Sequence, residues 1–188
     1  MRSVRSIKEL KMIWESGYWK DPLLDLVKKI ESWESRKDLD EPDFVDIERQ
    51  IMMGFYSVRK LLEAKKLSDQ VALISISAKS FPNLKNVNLL NWHHIDTLYD
   101  LNNPKEAQLH LLFAANQLIH SYVFIIDEKE EGGFSGIFFC SDNKRNEELF
   151  HVSSKELKRI FKLVGNDDPS DSNIRFNSKT KDYDLNQA

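Results

Sequence analysis

The spacing of hydrophobic residues in the first third of the chain predicts three helices, because apolar positions recur every three or four residues. A first helix is predicted over Ser6–Trp19, and a second begins at Asp21, with Pro22 in its first position. The third and longest helix covers about Asp43–Lys66, and Gly54 in its middle predicts a close approach by a neighbouring element. The apolar seam of this helix consists of Phe44, Ile47, Ile51, Phe55, Val58 and Leu62.

A further helix, over Pro104–Tyr122, is predicted to lie at the centre of the fold. Asn103 suits the N-cap, Pro104 the first helical position and Glu106 the third position of a capping box. The segment is apolar on nearly every side, which is typical of a helix surrounded by other elements. One of its faces carries Leu109, Leu112, Phe113, Asn116 and His120.

Two short segments before this central helix give mixed signals. Val71–Ala78 alternates between apolar and polar residues and is rich in β-branched side chains, so we expect a short strand there. Leu89–Tyr99 has leucines at helical spacing and predicts a helix.

The pattern changes to period two after the central helix. Three strands are predicted, over Tyr122–Asp127, Phe134–Cys140 and Leu149–Val152, and the turns between them indicate an antiparallel meander. Ser153 and Glu156 form the pattern of a capping box, which opens a last helix that ends near Gly165.

Together these elements predict an α+β fold that is mainly α. The expected architecture is a bundle of five or six helices with a small C-terminal three-stranded antiparallel sheet and a final helix. Residues 1–165 form one globular domain in this prediction, with the bundle over about 5–121 and the meander plus helix over about 122–165. Residues 166–188 are polar and turn-rich, so we expect a flexible tail.

Composition narrows the classes of function. The 188 residues are 41% hydrophobic and 30% charged, which is typical of a globular protein, and the net charge of −3 is not that of a protein that holds nucleic acid mainly through phosphates. A local basic patch remains possible. Cys140 is the single cysteine, which excludes an internal disulfide, suits the cytoplasm and is interpreted as a packing residue. No apolar run approaches the ~18 residues of a membrane span, so we expect a cytoplasmic protein with no membrane partner.

Asn116 and His120 are the main candidates for chemistry, because they lie one helical turn apart among apolar neighbours. One interpretation is a buried polar pair that fixes the register of the helix. The other is that His120 acts as a general acid or base, or contacts a phosphate, since the ordinary pKa of histidine is near neutrality.

A metal-dependent enzyme is the least favoured class. Its ligands would come from the five histidines with acidic residues, but adjacent His93 and His94 cannot share one helix face as an i, i+4 pair does. The other histidines are His110, His120 and His151. The sequence also contains no P-loop, dinucleotide-binding, serine-hydrolase or CxxC motif, and we predict no metal and no cofactor.

The segment Ala115–His120, ANQLIH, resembles the motif of the HEPN superfamily, in which an arginine and a polar residue precede a histidine. The stretch Phe55–Ala64 is similar to the preceding long helix of those bundles, and the resemblance covers roughly Asp40–Tyr122. It implies a dimer with a composite, metal-independent RNase site. In such a site the histidine assists attack by the 2′-hydroxyl, and the arginine holds the charge that develops on the phosphate.

This chain departs from the motif at Ala115, which stands where the family has arginine. Losing that cation costs about 10²-fold or more in rate, so the resemblance implies weak or absent catalysis. Arg49 and Arg59, on the preceding long helix, are candidates to contact phosphate in its place. The sequence leaves open whether Ala115 is natural or engineered.

Two functions from different classes follow. The first is a HEPN-like protein with an RNA-related or defence-related role, in which Asn116 and His120 face a cleft or a two-fold interface. The alternative is a non-enzymatic protein-interaction module, in which His120 is sealed in the interior and the sheet exposes an apolar patch. The residues considered for that patch are Phe134, Phe138, Phe139 and Phe150.

Overall fold

The computed structural model describes residues 13, 15–169, 172–179 and 181–187. At its centre lies a five-stranded antiparallel sheet with the strand order β2-β1-β5-β4-β3. The strands are β1 (Ser75–Pro82), β2 (Lys105–His110), β3 (Ser121–Glu128), β4 (Phe134–Ser141) and β5 (Glu148–Ser153).

Helices cover one face of this sheet and form the main hydrophobic core with it. The helices are α1 (Gly17–Ser35), α2 (Glu41–Glu63), α3 (Asp69–Ala72), α4 (Ile95–Leu98), α5 (Leu111–Ile119) and α6 (Ser154–Asn166). All of them except α4 pack on this face, and α4 belongs to the opposite face. The core joins Ile47 and Phe55 of α2 and Phe161 of α6 to alternate residues of the sheet, such as Ile137 and Phe150. This alternation follows from the period of two along a strand.

A second, smaller core lies on the opposite face, beneath the segment 83–103 that links β1 to β2. It contains Phe81, Val87, Leu98, Tyr99, Val123, Cys140 and Leu149. The Tyr99 hydroxyl donates a hydrogen bond to the backbone oxygen of Arg145 at 2.6 Å. Burial raises the pKa of the Cys140 thiol to about 11, so this thiol stays protonated at neutral pH, as expected of a packing residue.

The predicted helical bundle with a small C-terminal sheet is wrong, because the sheet is central and has five strands. The largest error lies in the predicted helix Pro104–Tyr122. Its first half is strand β2, in which Leu109 pairs with Ile76 of β1, and only Leu111–Ile119 is helical. The capping box predicted for Glu106 is therefore absent. In a stretch this short, apolar residues at positions 107, 109 and 111 fit a strand as well as a helix. Long-range pairing with β1 therefore determines that this segment is a strand.

Two other predicted helices, Ser6–Trp19 and Leu89–Tyr99, also need correction. The first, Ser6–Trp19, lies mostly outside the described residues, but its predicted separation from the second is wrong, because α1 runs from Gly17 through Pro22 to Ser35. The helix predicted over Leu89–Tyr99 is reduced to α4.

Two asparagine side chains explain why Leu89–Tyr99 does not begin as a helix. Asn88 Oδ1 accepts from the backbone N–H of Leu90 at 2.9 Å, and Asn91 Oδ1 accepts from the backbone N–H of Asn88 at 2.8 Å. These bonds give the backbone an alternative to helical hydrogen bonding.

Several other predictions are confirmed. The long helix predicted over about Asp43–Lys66 exists as α2. The close approach predicted at Gly54 also exists, since a Cβ there would lie 2.8 Å from Leu26 Cδ2 and 2.9 Å from Phe161 Cζ. The three C-terminal strands form the expected meander as β3, β4 and β5. Helix α6 begins after Ser153, whose hydroxyl accepts from the backbone N–H of Glu156 at 3.3 Å. Only this half of the predicted capping box is confirmed, because the Glu156 carboxylate accepts from the backbone N–H of Ser77 at 2.8 Å. The strand predicted in Val71–Ala78 exists as β1, but it starts only at Ser75, after α3 in the chain.

Part of the predicted tail forms a two-stranded antiparallel ladder, β6 (Ser172–Asn177) with β7 (Asp182–Gln187). Ile174 pairs with Leu185 at its centre. The flexibility of this region in solution stays a prediction.

Gly136 gives the first testable prediction, because it lies in β4 between Asp127 of β3 and Ser153 of β5. The His151 imidazole passes over it and places Nε2 2.9 Å from Asp127 Oδ2. A Cβ at Gly136 would lie 2.5 Å from the Val152 backbone oxygen and 2.8 Å from His151 Nε2. We expect Gly136→Ala to lower the free energy of unfolding by about 1–3 kcal/mol in urea denaturation.

The neighbouring Ser135→Ala provides the control for this prediction, because it changes the same strand without filling the gap. Equal stability of the two variants would contradict the steric argument.

Candidate functional site

A cavity of about 410 Å³ lies where the end of α5 meets the end of β4. We call it the α5 pocket. It is lined by Asn116, Gln117, His120, Ser141, Asp142 and Asn143. Two hydrogen bonds hold the two elements together at this point. The backbone N–H of Ser141 donates to Gln117 Oε1 at 3.1 Å, and that of Asp142 donates to the backbone oxygen of His120 at 3.3 Å.

Asn116 and His120, the pair singled out in the sequence, both line the α5 pocket. His120 is the residue that ends α5, and its side chain is exposed. Asn116 Oδ1 is buried and has no hydrogen-bond partner among the residues that the structure describes. The interpretation of a sealed polar pair that fixes a helix register is therefore wrong for His120.

Arg59 of the neighbouring helix α2 lies beside His120, although it is not one of the residues that line the pocket. Its Nη1 lies 3.4 Å from Nε2 of His120, although the two residues are 61 positions apart in the chain. On the other side of the guanidinium group, Nε donates to Glu63 Oε1 at 2.7 Å. Glu63 Oε2 accepts from Lys60 Nζ at 2.8 Å. The positive charges of Lys60 and Arg59 hold the pKa of the Glu63 carboxyl below its ordinary value, so Glu63 is ionised at neutral pH.

Arg49, the other arginine considered from the sequence, is not part of this group. Its Nη2 lies 2.8 Å from Asp46 Oδ1, and its side chain is 67% exposed. Ten residues of helix separate it from Arg59, which amounts to about 15 Å along the axis. The structure thus brings Arg59 to His120 and leaves Arg49 as a surface ion pair.

Ala115 points away from the pocket. It is fully buried and belongs to the main core together with Ala114 and Leu118. Position 115 of this chain therefore cannot present a cation to His120, and the guanidinium nearest to His120 comes from α2 instead.

Sequence reasoning missed the part of the site that follows β4. Ser141, Asp142 and Asn143 follow the predicted strand Phe134–Cys140, and no spacing in the sequence links them to α5. Asp142 Oδ1 lies 2.8 Å from Arg145 Nη1, so its negative charge is partly compensated. The only signal was the run of polar residues directly after a buried strand, which is common at sites built on loops.

The chemistry available at the α5 pocket is that of an imidazole beside a guanidinium, with amide and hydroxyl groups and the Asp142 carboxylate around the imidazole. Histidine can transfer protons near neutral pH, and arginine donates several hydrogen bonds to oxyanions. Among the described residues, no three histidine, cysteine or acidic side chains come together as a metal site. Within the same part of the chain, no helix has the length and apolar character needed to cross a bilayer.

No family model, no curated protein and no solved structure matches this chain, so the geometry of the α5 pocket carries the functional argument.

Proposed function

We propose that this protein binds RNA at the α5 pocket, and that it cleaves RNA weakly or not at all. In this proposal Arg59 and His120 contact a backbone phosphate, while Asn116 and the residues after β4 contact the adjoining ribose or base. The observation that carries the proposal is the 3.4 Å distance between Arg59 Nη1 and Nε2 of His120, a residue that lines the cavity.

The composition of the pocket favours a phosphate-bearing, polar ligand. A guanidinium group donates hydrogen bonds to phosphate oxygens in a fixed geometry, and an imidazole beside it adds a further donor when protonated. Three amide side chains, a serine and Asp142 line the remainder of the cavity, and Arg145 partly compensates the charge of the Asp142 carboxylate. Such groups hydrogen-bond to the edges of unpaired bases and to the 2′-hydroxyl, which is how proteins recognise single-stranded RNA.

The same geometry supports weak rather than efficient catalysis. Cleavage through the 2′-hydroxyl needs a group that accepts a proton and a group that donates one. Among the described residues, His120 is the one histidine that lines the pocket. Glu63 offsets part of the charge of Arg59, and Arg145 engages Asp142. The proposal keeps the roles that the HEPN resemblance implies for Asn116 and His120 and gives the role of the cation to Arg59. A homodimer stays a prediction.

Binding of a fluorescently labelled single-stranded RNA, followed by anisotropy, tests the proposal. We expect Arg59→Ala to weaken binding about 10-fold, because it removes a hydrogen-bonding charge from the phosphate site. Arg49→Ala is the matched control, since it removes the same group from the same helix, and we expect less than a twofold effect. His120→Ala should also weaken binding, and any RNA cleavage by the wild type should disappear with it.

The proposal would be contradicted if Arg59→Ala and Arg49→Ala weakened RNA binding equally, or if the wild type did not bind RNA. The alternative, a protein-interaction module, would then be favoured. Its binding surface would not be the sheet phenylalanines considered from the sequence. Phe134, Phe139 and Phe150 are buried, whereas three leucines of the β1–β2 connection are exposed. They are Leu84, Leu89 and Leu90, with 60%, 76% and 84% of their surface accessible.

A further inference from the structure

We propose that Glu63 is a built-in competitor for Arg59, which keeps the phosphate affinity of the α5 pocket low. This inference rests on the proposed function, because it assumes that Arg59 contacts a phosphate in the pocket. It adds a residue that tunes the site without lining the cavity, since Glu63 is not among the residues around the pocket.

The first argument is the way in which the donors of Arg59 are used. Its Nε–H points at Glu63 Oε1 over 2.7 Å, and Nη1 faces His120. A guanidinium group binds an oxyanion best with two parallel N–H groups. With Nε occupied by a carboxylate, the edge that includes Nε is closed to a phosphate, and only the end of the group that carries Nη1 and Nη2 remains. Glu63 therefore restricts how the phosphate can be held.

The second argument is electrostatic. Glu63 is ionised, and it lies on the opposite side of the same guanidinium group from His120. A phosphate bound to Arg59 would be separated from the Glu63 carboxylate by little more than the guanidinium group. At such a distance two negative charges still repel each other appreciably. Lys60 offsets part of the repulsion, because its Nζ lies 2.8 Å from the second carboxylate oxygen.

The third argument is that the stability of the helix does not call for a carboxylate at this position. Glu63 is the last residue of α2, where the negative end of the helix dipole disfavours acidic side chains. Its ion pair with Arg59 is partly exposed, with 29% and 40% of the two side chains accessible, and such pairs contribute little to stability. The pairing with Arg59 beside the pocket is thus the main consequence of having glutamate here.

Glu63→Gln separates the charge of this residue from its hydrogen bond. Glutamine can still accept from Arg59 Nε, but it carries no negative charge. We expect the dissociation constant for inorganic phosphate, measured by isothermal titration calorimetry, to fall about 3- to 10-fold. Glu48→Gln is the matched control, because Glu48 is exposed on the same helix and its replacement changes the net charge equally. We expect no change in phosphate affinity for Glu48→Gln.

Four outcomes are distinguishable. Tighter phosphate binding in Glu63→Gln alone, lost again when Arg59→Ala is added, supports the inference. Wild-type binding that Glu63→Gln leaves unchanged or weakens overturns the inference and leaves the proposed function standing. An equal gain in Glu48→Gln also overturns it, because the effect would then reflect net charge alone. Absence of phosphate binding in both wild type and Glu63→Gln overturns the inference and the proposed function together.

Discussion

Replacing Ala115 by arginine is expected to unfold the protein, or to lower its free energy of unfolding by at least about 4 kcal/mol. The substitution introduces the residue that the HEPN motif has at the corresponding position, and the resemblance by itself suggests a gain of RNA cleavage. The structure leads to the opposite expectation. Ala115 is fully buried in the main core, between the sheet and the helices that cover it.

The physical reason is the cost of placing a charge in an apolar interior. A guanidinium group at position 115 would lose its hydration without gaining a carboxylate partner, and its long side chain would also overpack a core built around an alanine. Adjacent positions on α5 face different environments, because successive helical residues point about 100° apart. Asn116 consequently lines the pocket while Ala115 lies in the core.

Leu112→Arg is the matched control, because it places the same side chain on the same helix at a position that is 46% exposed. We expect Leu112→Arg to remain folded by circular dichroism with a cooperative thermal transition, whereas Ala115→Arg should not. A folded Ala115→Arg variant that gains RNA cleavage would contradict this expectation and would restore the motif position as the source of the cation.

Phe161→Ala is expected to lower the free energy of unfolding by about 3–5 kcal/mol. Phe161 of α6 is fully buried and lies edge-on to Phe55 of α2, with ring centroids 5.2 Å apart. Its ring also lies against Gly54, at the place where a Cβ would be 2.9 Å from Cζ. Removing the ring leaves a cavity between two helices, and the backbone of the sheet beneath them limits how far that cavity can collapse.

Leu163→Ala on the same helix is the control, since Leu163 is 38% exposed and its truncation leaves no enclosed cavity. Chemical denaturation followed by tryptophan fluorescence measures both variants. Similar losses for the two substitutions would argue against the close contact of Phe161 with Gly54 and Phe55 of α2. This contact matters for the proposed function, because α2 carries both Arg59 and Glu63.

Local signals in the sequence determined those elements that are stabilised mainly by their own residues or their nearest neighbours. Asp40 caps α2 by accepting from the backbone N–H of Asp43 at 3.0 Å, and Ser153 caps α6 in the same manner. The strands of the meander are joined by short turns. Gly132 and Gly133 adopt positive φ values of 93° and 87° in the first of these turns, a conformation that glycine permits at little cost.

The sequence did not determine the role of Lys105–His110, because its pattern is compatible with both a strand and the first turns of a helix. Pairing with β1 resolved the ambiguity, and the residues of β1 lie about thirty positions earlier in the chain. With β2 and β1 added to the meander, the sheet became the centre of the fold, and the helix predicted at the centre shortened to nine residues.

Local sequence determined some features of the candidate site, and tertiary structure determined the others. The sequence by itself named Asn116, His120 and Arg59 as candidates, since their residue types carry the relevant chemistry. Only the tertiary structure decided that Arg59 meets His120, that Arg49 does not, and that Ala115 faces the core. The physical reason is that the packing of α2 against α5 and of α5 against β4 sets these distances, and such long-range contacts leave no fixed spacing in the chain.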